Sequence, residues 1–97
     1  MIAQIRQELK DKPPEWLAEH VARAGILRCL QIEELPRWDA SGRCCYEASA
    51  IYIGGSKEQE VFSIGGTAQA AYNGLLRDAL ISHMADAGRK AMLELVK

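Results

Sequence analysis

What this chain has little of narrows its functions first. Cysteine is sparse and badly arranged for cross-linking: Cys29, Cys44 and Cys45 are an odd number, and two of them are adjacent. That is a poor disulfide framework for a small secreted domain, and it fits a reducing compartment. Basic charge is not in excess either. Twelve Lys and Arg stand against thirteen Asp and Glu, for a formal net charge of -1 and a pI near 6.1. No strong positive field exists to drive nonspecific nucleic-acid binding by counterion release. No apolar run approaches the roughly 18 residues of a membrane span, and the first residues do not pair a basic segment with a long apolar one. The expected location is the cytoplasm, with no membrane association.

Recognisable site motifs are missing as well. His20, Cys29, Cys44, Cys45 and His83 contain no pair at the spacing of a structural zinc site, and adjacent residues on a strand point to opposite faces. No metal or cofactor is expected. A cysteine nucleophile would need a positioned base with an acid behind it. No local motif surrounds any cysteine, so the chain reads as non-enzymatic, with its thiols expected to be buried.

Two glycine pairs, Ile-Gly-Gly-Ser at 53–56 and Ile-Gly-Gly-Thr at 64–67, suggest a phosphate loop. Neither is part of a complete nucleotide fingerprint, and no parallel strand pair would host one. Glycines at strand ends more often mark turns, bulges or close backbone approach.

What is present describes a fold. Ninety-seven residues, 48% hydrophobic and 26% charged, make one globular domain over 1–97. Ile2, Ile5 and Leu9 recur at helical spacing, which predicts an amphipathic helix over 1–12. Pro14 suits a first helical turn and Glu15 its dipole. A second helix therefore starts there, with Trp16, Leu17, Val21 and Ala24 as its apolar, core-facing stripe and Gly25 as its cap.

Residues 26–35 suit an extended run but could also prolong that helix; strand is the expectation. Pro36 ends it, and Asp39-Ala40-Ser41-Gly42 is turn chemistry, giving a hairpin loop over 36–43. Cys44 to Ile53 alternates, with Tyr46, Ala48, Ala50 and Tyr52 on one face and Cys45, Glu47, Ser49, Ile51 and Ile53 on the other. A shorter strand follows over 60–64. Thr67 then offers an N-cap to a long helical pattern carrying Tyr72, Leu75, Leu76, Ala79, Leu80 and Met84.

The fold class is α+β: N-terminal helices, a three-stranded antiparallel meander and a long last helix. The core spans 14–85, and a helical extension over 86–97 is either continuous with the last helix or a second one. Met92, Leu93, Leu95 and Val96 there need cover, from this chain's own sheet or first helix or from a second copy. A homodimer through the terminal helices is thus one expectation.

Helix, three antiparallel strands and a helix opened by Gly65-Gly66-Thr67-Ala68 resembles the double-stranded-RNA-binding domain over about 13–80. That family opens its last helix with a lysine clamp of the form Lys-Lys-x-Ala-Lys. Here the comparable stretch is Ala68-Gln69-Ala70-Ala71-Tyr72, which removes those phosphate contacts. The resemblance implies a hairpin loop that reaches a minor groove, and this loop holds Arg37, Trp38 and Arg43. Nucleic-acid binding is the alternative it keeps open.

The favoured expectation is a small bacterial or phage regulator, adaptor or inhibitor that works by binding another protein. An aromatic beside Arg is typical of interface hot spots. Arg37, Trp38 and Arg43 on the hairpin loop, with Glu47 and Ser49 on the free sheet face, are the candidate contacts.

Overall fold

In the computed structural model the described backbone covers residues 2–38, 44–54 and 58–96, with side chains described outside 36–38, 44 and 89–96. The element order is α1 (Ile2–Leu9), α2 (Pro14–Ala24), β1 (Leu27–Trp38), β2 (Cys44–Tyr52), β3 (Gln59–Gly65) and α3 (Ala68–Val96). The strands form one antiparallel sheet in sequential order, with β2 central and β1 and β3 at the edges. This is the α+β arrangement the patterning predicts.

Local chemistry sets the helix ends. Pro14 opens α2, and Gly25 closes it in the left-handed region at φ 63°, its N–H donating to the carbonyls of Ala22 and Val21. Glycine adopts that conformation without the Cβ penalty of other residues. At the start of α3 the Thr67 hydroxyl accepts the Ala70 N–H at 3.0 Å, satisfying one of the unpaired donors every helix start leaves. From there α3 continues as a single helix to Val96, so the 86–96 segment prolongs the same helix.

β1 departs from expectation at its far end. It runs through Pro36 to Trp38, pairing Trp38 with Cys44, so a loop over 36–43 is too long. The register shifts between Leu35 and Trp38, across Pro36 and Arg37. Proline donates no ladder hydrogen bond and is tolerated on an edge strand or at a bulge, and β1 is an edge. The expected turn at 39–42 lies outside the described residues.

The core has two parts. Ile5 and Leu9 of α1, Leu17 and Val21 of α2, Ile26, Tyr52, and Leu76, Leu80 and Ile81 of α3 form a cluster of large side chains. Beneath the first turns of α3, Ala48 and Ala50 meet Ala71 and Leu75 in a smaller one. Small residues bring helix and sheet close. A Cβ on Gly74 would lie 2.3 Å from the Ser63 hydroxyl, and one on Gly65 would lie 2.7 Å from the Ala71 backbone nitrogen. Gly65, the first glycine of the second pair, therefore has a close-approach role at the join of β3 to α3, while a Cβ on Gly66 would meet open space.

Ile5 and Leu9 are covered by their own chain, whereas Ile2, the first residue of the same stripe, is 50% exposed. Trp16, expected in the core, is only partly buried against it. It stacks on His20, centroids 3.8 Å apart, beneath the Lys12 ammonium at 4.9 Å. His20 Nδ1 lies 2.8 Å from the Trp16 carbonyl. A carbonyl only accepts, so Nδ1 carries the proton.

Candidate functional site

Alternation along β2 divides the sheet into two faces. Ala48, Ala50 and Tyr52 are buried on the face beneath the helices, where the Tyr52 hydroxyl donates to Asp86 at 3.2 Å. The strand pairing places the opposite face in cross-strand rows: Arg28, Ile51 and Glu60; Gln31, Ser49 and Phe62; Glu33, Glu47 and Ile64; then Leu35 and Cys45. α3 lies across β3 and β2 on the other side, and α1 and α2 pack on α3. Among the described residues no helix lies over these rows.

This open face is neither uniformly polar nor core-like. Phe62 is 61% and Ile64 56% exposed, two positions apart on β3 and hence on one side of the pleat. Solitary exposed apolar residues are ordinary, but neighbouring large ones on a surface framed by charge are typical of binding patches. The frame is acidic. Glu33 faces Glu47 directly across β1 and β2, and Glu60 stands at the other end. Like charges in directly opposed positions disfavour the pairing by roughly 0.2–1 kcal/mol. Arg28 answers part of this field through an exposed ion pair with Glu58, a type of contact that contributes little in open solvent.

One end of the face is shaped by a bulge. Between Arg28–Ile51 and Gln31–Ser49, β1 has two residues, Cys29 and Leu30, against the single Ala50 of β2. Cys29 takes φ 56° there, a left-handed conformation that an L-residue adopts only at a cost. Cys29, Gln31, Ser49, Ile51 and Glu58 border a shallow depression beside it. The thiol expectation is corrected at this point: Cys29 is exposed and Cys45 half-buried, both free. The bulge turns Cys29 out of the alternation that would have settled its face.

Of the candidate contacts, Glu47 and Ser49 lie half-buried in the middle rows of the open face. Arg37 and Trp38 belong to the last residues of β1, not to a loop, and their side chains lie outside the described residues, as does Arg43 altogether. Phe62, Ile64 and Glu33 were not anticipated as contacts. Alternation in Glu60-Val61-Phe62-Ser63-Ile64 could have shown that Phe62 and Ile64 share a face opposite Val61, although not which face the helices cover.

The chain matches no family model, no curated protein and no solved structure. Its functional reading therefore rests on this geometry. No described helix is long and apolar enough to cross a membrane.

Proposed function

We propose that this is a small binding protein, without chemistry of its own, that docks another protein on the open face of its sheet and acts as a regulator, adaptor or inhibitor. The observation that carries the reading is the pair Phe62 and Ile64, exposed side by side next to the opposed Glu33 and Glu47. An aromatic and an aliphatic anchor beside two carboxylates with no ion pair among the described residues complement a partner surface that is apolar at its centre and carries Lys or Arg around it. The last residues of β1, Arg37 and Trp38, with Arg43 of the connection to β2, would extend the contact at the Leu35–Cys45 end.

Tagged protein, incubated with bacterial lysate with and without nuclease, tests this. The expected result is a nuclease-resistant protein partner whose capture is lost with Phe62→Ser and reduced by Glu47→Lys. Phe62→Ser should leave the thermal midpoint within the range of an ordinary surface substitution, about ±0.5 kcal/mol. Capture that vanishes with nuclease and weakens steeply with salt would instead favour nucleic-acid binding. An unchanged yield for both variants would move the interface away from this face.

A further inference from the structure

The helical layer has a concave feature of its own, distinct from the open sheet face. Between α1 and α3 lies a cleft of about 560 Å³, with Ala3 and Ile81 as apolar lining and Arg6, Lys10, Arg77 and Asp78 around them. Arg6 and Lys10 are one helical turn apart on α1, so they share a face. Arg77 comes from the facing helix. Three cations thus border one cleft against one carboxylate.

None of the three is ion-paired among the described residues. The Nε of Arg77 is also withdrawn from water without a hydrogen-bond partner. Buried donors in folded proteins are nearly always satisfied, so this one marks Arg77 as a side chain whose hydrogen-bonding capacity is not used up among the described residues. Arg77 as a whole is half-buried, and the planar fork of a guanidinium matches phosphate oxygens.

We propose that this cleft binds a small ligand carrying adjacent phosphates. Arg6 and Lys10 would engage it from one wall and Arg77 from the other. A single compact anion would not use cations on both walls as well as a linked pair of phosphates does, and the volume falls in the range of small-molecule sites. Asp78 opposes an anion on its own side, which places the phosphates towards the three cations. It leaves an acceptor for a hydroxyl or amino group on the remainder of the ligand.

The test is titration with inorganic pyrophosphate at constant ionic strength, followed by nitrogen-15 NMR of the arginine Nε–H groups. The Arg77 signal should shift and saturate, while those of Arg23 and Arg28, remote from the cleft, stay in place. Replacing both exposed cations of α1, Arg6→Gln with Lys10→Gln, should weaken binding by about ten-fold or more without lowering the thermal midpoint. Arg77→Lys should weaken it too, because an ammonium keeps the charge and loses the fork. If Arg77→Lys fails to fold, the α1 variant decides.

Absence of a saturable shift through the millimolar range would overturn the proposal. So would equal shifts at every arginine, which report general screening. Duplex RNA that moves the Arg77 signal where pyrophosphate does not would replace the small ligand with a nucleic-acid backbone.

Discussion

The two faces of this three-stranded sheet share a backbone and differ in what their residues are asked to do. On the covered face β2 presents alanines and Tyr52, and α3 answers with Ala71, Gly74 and Leu75. Small side chains there let helix and strand approach until no further atom fits. On the open face the same strands present Glu33, Glu47, Phe62 and Ile64, a mixture that neither packs nor repels water completely. Close packing makes one face intolerant of change. Incomplete packing leaves the other more tolerant, and it is the face proposed to receive a partner. In a domain this small, the packed face and the proposed binding face are separated by one residue of strand register.

The contrast can be broken most forcefully from the covered side. Leu75 is fully buried between sheet and helix, and Leu75→Ala should cost about 2–5 kcal/mol through lost burial and a residual cavity, read as a fall in the denaturant midpoint at unchanged slope. Gly65→Ala comes next. Its Cβ would sit against the backbone of Ala70 and Ala71, atoms that cannot rotate aside, so the first turn of α3 must shift at about 1–3 kcal/mol.

The order of these effects reflects what the sequence made legible. Alternation in 44–53 assigned Ala48, Ala50 and Tyr52 to one side, and the spacing of Leu75, Leu76, Ala79 and Leu80 assigned the helix stripe that covers them. Both are local periodicities, readable within a single element. Pro14, Gly25 and Thr67 were readable for the same reason, since a cap is a local interaction.

Register is different. The extra residue at Cys29–Leu30 and the shift across Pro36 and Arg37 depend on how β1 meets β2, a relation between residues far apart in sequence. Proline reads as a stop because the edge position that tolerates it is not visible within one strand. Exposure of Phe62 and Ile64 was hidden for a related reason: a strand's pattern defines two faces without saying which one the helices choose. Trp16 was misjudged because its bulk suggested the core, whereas stacking on His20 under Lys12 gives it a partly solvated position.

Smaller changes sharpen the comparison from the open side. Cys29→Gly should raise stability by up to about 1 kcal/mol, because relief of the left-handed backbone outweighs glycine's greater unfolded-state freedom. A lower thermal midpoint would mean that the bulge is held by the Cys29 side chain. Glu33→Gln removes one member of the opposed carboxylate pair, and a gain of a few tenths of a kcal/mol is expected, larger at low salt. That variant should also weaken capture of a basic partner, so stability and binding move in opposite directions. Phe62→Ser should have the least effect on stability of the series and the greatest on capture.

The join between α1 and α3 has a consequence for synthesis. Ile5 and Leu9 find their cover on a helix that follows all three strands in the chain. The meander pairs neighbour with neighbour, the kind of topology that closes short loops first. A nascent chain that lacks the last helix would therefore leave the packing side of the first helix without the element it mainly docks against. Nascent chains halted before that helix should be the ones that chaperones hold, and release should follow its appearance.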